Sequence, residues 1–298
     1  MPWFPLSGCD RVSYLGGVQI PIFIIIQVFH CYKREAKPIN WSTVIRRIIL
    51  PFIVVEIGIL GILLCKQETS PRDLFLSGLV GGGFGPGSYY PWIYIQMALL
   101  FPCLRIICER FGKYESLFFF VISELLEIFC SIINKPNPIY RLLGFRYIFL
   151  IWIGWIWAKE GISFNKKSII VSLLSLLAIV YLNYIGGVKE PWLFDTDWVS
   201  HRWPCYFWTV FLFTGILCVV YKYLSDNKCI NKAIKVLSSS SYEFFLIQMA
   251  YYAVVKISDF SFVGNAYIQF FIWFVFAFVI SILGGVGLNK LERQYLLR

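Results

Sequence analysis

Charge is what this chain has least of. Only 15% of its 298 residues are Asp, Glu, Lys or Arg, while 58% are hydrophobic and 19% aromatic. Soluble domains carry about a quarter charged residues, so this surface cannot face water on all sides. Histidine is nearly absent, with two copies, His30 and His201. The nine cysteines stand singly, with no CxxC and no Cys/His pairing at metal-ligand spacing. That pattern offers no zinc, haem or redox motif, and no metal is expected. Cys103, Cys108, Cys130 and Cys218 fall within or at the ends of apolar runs and read as small core hydrophobes. No GxSxG elbow supports a nucleophilic serine. The glycine run GGGFGPGS lacks the GK[ST] ending of a nucleotide P-loop. Residues 1–17 lack the basic start and cleavable apolar stretch of a signal peptide.

What the chain has is apolar length. Near-continuous runs reach the roughly 17–25 residues that span a hydrocarbon core. They do not alternate as the strands of a transmembrane barrel would. The expected fold is an all-α, polytopic transmembrane helix bundle forming a single domain over residues 1–298. Nine spans are expected, at 18–32, 48–65, 91–108, 117–133, 145–158, 168–185, 204–224, 242–257 and 266–288. The net charge of +10 sits in short loops between these runs, which is topology control rather than a nucleic-acid surface. Lys33, Arg34, Lys37, Arg46 and Arg47 follow the first run, and alternation from there puts most of the 27 Lys and Arg on one face. That face is cytoplasmic by the positive-inside rule, with the N-terminus outside and the C-terminus inside. A multi-pass protein of the cytoplasmic (inner) membrane follows, with the lipid bilayer as its first partner and no nucleic acid.

Three outer segments are long enough to carry chemistry: 66–90, 134–144 and 186–203. The first ends in the glycine loop, bent by its glycines and stiffened by Pro86 and Pro91. Ser88, Tyr89 and Tyr90 either form a helix-entry turn or offer hydroxyls and rings to a polar acceptor. The third combines Asp195, Asp197, His201 and Arg202 with tryptophans, as an interfacial belt or as one wall of an outward polar site. Arg46 and Arg47 suit topology control, or a bidentate hold on phosphate. Glu56, Glu124, Glu127 and Glu243 lie inside spans, where each needs a partner or a water-filled cavity. Glu124 and Glu127 share a helical face, with Arg141 and Arg146 as expected partners. Gln96 and Gln248 are intramembrane amides, for interhelical hydrogen bonds or for substrate. Arg146, just before Tyr147 at an outer helix start, is the preferred outward contact.

Five stretches, in order, resemble landmarks of acyltransferase family 3, the integral-membrane acyltransferases of cell-surface sugars. They are GVQIPIFIIIQVFHCYKR (Gly17 to Arg34), WSTVIRRIILPF (Trp41 to Phe52), GPGSYYPWIYIQMALLFP (Gly85 to Pro102), YRLLGFRYIFLIWIGWIW (Tyr140 to Trp157) and SSSYEFFLIQMAYY (Ser239 to Tyr252). The resemblance implies O-acyl, in particular acetyl, transfer from cytoplasmic acyl-CoA to a hydroxyl of an envelope or exopolysaccharide sugar. It implies donor phosphates held by Arg46 and Arg47, and a sugar or lipid-linked glycan acceptor contacted by Ser88, Tyr89, Tyr90, Gln96, Arg146, Tyr147 and Gln248. The chain begins at what looks like the family's second helix, so the family's first-helix histidine has no counterpart and His201 stands in as base. A transporter or flippase of a lipid-linked sugar, or an inactive truncated member of the family, are the alternatives.

Overall fold

The structure is a computed structural model. It describes residues 19–33, 40–66, 70–111, 114–133, 142–161, most of 169–177 and 212–223, and 227–295. These residues are helical wherever they are regular, with no strand among them. In chain order the helices are α1 (Gln19–Lys33), α2 (Trp41–Lys66), α3 (Pro71–Gly81), α4 (Tyr90–Phe111), α5 (Glu115–Ile133), α6 (Ile148–Glu160), α7 (Lys228–Ser239), α8 (Ser241–Val254) and α9 (Ala266–Tyr295). Short 3₁₀ turns at Gly144–Tyr147 and Ile257–Val263 precede α6 and α9.

An α-helix satisfies its peptide groups within the segment, which is what hydrocarbon demands of a spanning chain. Three described helices are long and apolar enough to cross a membrane: Trp41–Lys66, Tyr90–Phe111 and Ala266–Gln294. A shorter apolar helix covers Ile22–Lys33. Large side chains stand exposed on them, among them Ile53, Val54 and Ile57 of α2 and Phe271, Phe274 and Phe278 of α9. Exposed apolar area is unfavourable in water at about 25 cal/mol per Å² and acceptable in lipid. The chain is therefore a membrane protein. The runs expected at 168–185 and 204–224 fall largely outside the described residues. Two stretches between the long apolar runs also hold helices, the first of them inside the segment 66–90 expected as an outer loop. Residues 71–81 form α3, and 228–239 form α7, capped by Asn227, whose Oδ1 accepts the N–H groups of Cys229 and Ile230 at 3.0 and 3.2 Å.

The chain divides into two compact units. The first comprises Met1–Pro38 and Ile93–Tyr223. Its centre is the crossing of α1 and α6, where Ile24, Ile25 and Val28 are fully buried. Gly154 makes the crossing possible, because a Cβ there would lie 2.6 Å from Val28 Cβ and 2.9 Å from the Ile25 carbonyl oxygen. Small residues at crossings let membrane helices approach closely. Tyr32 packs edge-on to Trp155 at 4.8 Å, and Gln27 Nε2 donates to the Tyr94 carbonyl at 3.3 Å, tying α1 to α4.

The second unit comprises Ile39–Trp92 and Leu224–Arg298. Phe52, Ile59, Leu246 and Met249 form its buried core. Two hydrogen bonds set the relation of α2 to α8. Tyr242 Oη donates to the Ile48 carbonyl at 2.9 Å, and Lys66 Nζ donates to the Val254 carbonyl at 2.7 Å. The two helices therefore run in the same direction. Helix α9 returns antiparallel to α8: Tyr251 Oη donates to the Trp273 carbonyl, and Trp273 Nε1 donates to the Val255 carbonyl, both at 3.1 Å. Further along, Gly284 and Gly285 of α9 lie against Ile247 and Phe244 of α8.

Candidate functional site

Helix α2 is unevenly wound. Asn40 caps it, its Oδ1 accepting from Thr43 N–H at 3.2 Å. A π turn follows at Ile45–Ile49, closed by the Leu50 N–H on the Ile45 carbonyl. Such turns carry an extra residue and recur where a helix must re-aim side chains. The re-aimed residues here are Arg46 and Arg47, both exposed. Tyr242, through its bond to Ile48, fixes the turn from α8. The neighbouring Glu243 is buried and accepts from Asn289 Nδ2 of α9 at 3.0 Å. Glu292, 5% exposed, lies one turn beyond Asn289, near enough to Glu243 and Arg47 to feel the charge of each. The basic end of α2 thus rests on a buried amide and carboxyl cluster.

Halfway along α2 stands Glu56. Its Oε2 accepts the Phe84 N–H of the glycine loop at 2.8 Å. The loop does not extend past the end of α2. It folds back to the middle of that helix, because Gly83 lies against Glu56 and Gly85 lies against Met249 and Ala253 of α8. Both glycines have positive φ, +136° at Gly83 and +88° at Gly85. A Cβ at Gly85 would sit 2.7 Å from the Met249 carbonyl oxygen, so only glycine fits. Irregular backbone beside the middle of a membrane helix must find internal partners. The Gly83 N–H bonds to the Gly78 carbonyl at 2.7 Å, Trp92 Nε1 bonds to the Gly82 carbonyl at 2.7 Å, and Tyr90 N–H closes on Gly87 at 2.8 Å.

Ser88, Tyr89 and Tyr90, expected to face an acceptor, are buried in this packing. Ser88 is 3% exposed, and the Tyr90 ring stands edge-on to Phe245 at 5.6 Å. Gln96 is engaged at both ends of its amide. Its Nε2 donates to the Leu142 carbonyl, and its Oε1 accepts the Gly144 N–H at 2.8 Å. It thereby holds the turn that carries Arg146 and the fully buried Tyr147 in the first unit. Gln248 is half-buried on α8. His201 and Arg141 lie outside the described residues, as do the side chains of Arg146, Glu124 and Glu127.

The partnerships of Glu56 with the loop and of Glu243 with Asn289 were foreshadowed only as acids in need of partners. Asn289 and Glu292 were not singled out. Their signal is an amide and an acid three residues apart, one helical face, just after the apolar GGVGL run. Chemically, α2 carries two guanidinium groups at one end and a carboxylate nine residues on. At 1.5 Å per residue, about 14 Å separates Arg47 from Glu56 along the axis.

Comparison with known families finds a match to the model described as an acyltransferase domain, over residues 3–290. Neither the curated proteins nor the solved structures searched contain a match.

Proposed function

The chain belongs to acyltransferase family 3, and from that premise we propose that it transfers an acyl group, acetyl in the simplest case, from cytoplasmic acyl-CoA to a hydroxyl of a cell-envelope or exopolysaccharide sugar. One observation carries the reading: Arg46 and Arg47 on the π turn and the Glu56–glycine-loop contact share one helix, about 14 Å apart. That interval matches the reach of a pantetheine arm. Guanidinium forks take the phosphates of the donor, and the thioester arrives beside the loop. Ser88, Tyr89, Tyr90 and Gln248 of the second unit stay proposed as contacts of the sugar or lipid-linked glycan, as do Arg146 and Tyr147 of the first, with Gln96 holding the turn that carries them and His201 the outer-loop imidazole.

The proposed topology is nine spans in the inner membrane, N-terminus outside and C-terminus inside. The charge of the second unit supports it. Arg46, Arg47, Lys290 and Arg293 gather at the Ser241 end of α8, where α7 with Lys228, Lys232 and Lys235 also joins. Lys66 lies at the opposite end, by Val254, with Lys256 two residues further along the chain. The test is purified protein in lipid nanodiscs with labelled acetyl-CoA and envelope oligosaccharides. Label in the glycan is the expected result. Saturable sugar movement in proteoliposomes with the thioester untouched would overturn the reading in favour of transport.

A further inference from the structure

Of the two oxygens of Glu56, one is accounted for. Oε2 holds Phe84. Oε1 is buried and accepts no hydrogen bond among the described residues. An unpaired buried acceptor is unfavourable by about 1–3 kcal/mol, and more when ionised, so a native chain keeps one only with reason. The surroundings of Oε1 are specific. It faces the bare Cα of Gly83, where a Cβ would come within 2.5 Å of it and within 2.9 Å of Ser88 Cβ. Glycine at 83 therefore lets the loop backbone close directly onto Oε1, with the Ser88 side chain beside it, where any larger residue would clash. Gly82, Gly83 and Gly85 all hold positive φ, giving the loop torsional freedom to move Gly83 off Oε1 while the Phe84 N–H stays on Oε2.

We propose that Glu56 Oε1 is the proton acceptor for the sugar hydroxyl that is acylated, and that Glu56 is a catalytic residue of the glycine-loop site. This deepens the acyltransferase reading and rests on it. In the step, the acceptor oxygen attacks the thioester carbonyl carbon while its hydroxyl proton passes to Oε1. The C–O bond forms and the C–S bond breaks, the electron pair leaving on the coenzyme sulfur. That thiolate then takes the proton from Glu56, which returns the carboxylate and releases the free thiol. Throughout, Oε2 keeps the Phe84 N–H, so the same side chain holds the loop and serves the hydroxyl.

Glu56→Gln separates these two duties, because its amide oxygen still accepts from Phe84 while its amide nitrogen cannot take a proton. The measurement is acetyl transfer to an envelope oligosaccharide in nanodiscs, with KM for acetyl-CoA read in parallel. The expected result is transfer reduced about 100-fold or more, with the donor KM within about twofold of wild type. Transfer within about threefold of wild type would show that holding the loop is all Glu56 does, and would sink the assignment. Glu56→Ala supplies a second arm, in which added formate raises the rate about tenfold or more if a proton acceptor has been lost. A rate indifferent to formate counts against it. Wild-type protein that neither transfers nor hydrolyses the thioester overturns the acyltransferase reading itself, and this assignment with it.

Discussion

Asn289 spends its side-chain nitrogen twice, donating to the Glu243 carboxylate at 3.0 Å and to the Ser239 carbonyl at 2.7 Å. One amide thus joins α9 to the point where α7 gives way to α8. Asn289→Leu leaves both acceptors without that donor in a buried place and is expected to destabilise the protein by about 1–3 kcal/mol. Asn289→Asp should be worse, since it sets a third carboxyl beside Glu243 and Glu292. Thermal unfolding in detergent checks the order: wild type, then Leu, then Asp.

Gly85 and Gly61 make a matched pair. Gly85→Ala forces a side chain into a positive-φ position with its Cβ 2.7 Å from the Met249 carbonyl oxygen. The expected loss is about 1–3 kcal/mol, together with reduced transfer. Gly61→Ala meets nothing within 4 Å on α2 and should hold or raise stability by up to about 1 kcal/mol. Melting temperatures of the two variants decide the matter, and equal losses would contradict the fit described for the loop.

The long spans were legible and the site was not, for one physical reason. α2, α4 and α9 announce themselves through local composition, because a bilayer reads apolar length alone. α3 was missed because its eleven residues begin Pro-Arg-Asp, and so short a helix is held by its packing rather than by its own pattern. The glycine loop was recognisable as bent and stiff, but its place was not, because contacts such as Phe84 with Glu56 join residues 28 apart. Glu56 and Glu243 were visible as acids needing partners. Which partners they found depended on the crossing of helices far apart in the chain.

Arg46→Lys and Arg47→Lys keep charge but lose the planar fork. If the π turn binds the donor's phosphates, each should raise KM for acetyl-CoA about tenfold, with kcat little changed. Alanine should raise it further, toward about a hundredfold, the range of a lost charge-assisted hydrogen bond. A thioester of coenzyme A lacking its 3′-phosphate, assayed side by side, should narrow the gap at whichever arginine holds that phosphate. Unchanged KM in all four variants would leave the arginines to topology alone.

Gln96 is expected to behave as structure rather than as a substrate contact. Gln96→Leu strips the Leu142 carbonyl and the Gly144 N–H of their partner, at about 1–3 kcal/mol of stability. Its KM for the acceptor should stay near wild type while the unfolding temperature falls. Steady-state kinetics on the surviving folded fraction make the comparison.

The wide turn at Ile45–Ile49 sets the azimuth of everything downstream on α2. Excising one residue between that turn and Glu56, with the turn kept, would rotate Arg46 and Arg47 by about 100° relative to Glu56. Donor grip and carboxylate would then look out from different sides of the same rod. A single-codon deletion there is thus a phase error, one that spares hydrophobicity and length yet uncouples the two ends of the helix.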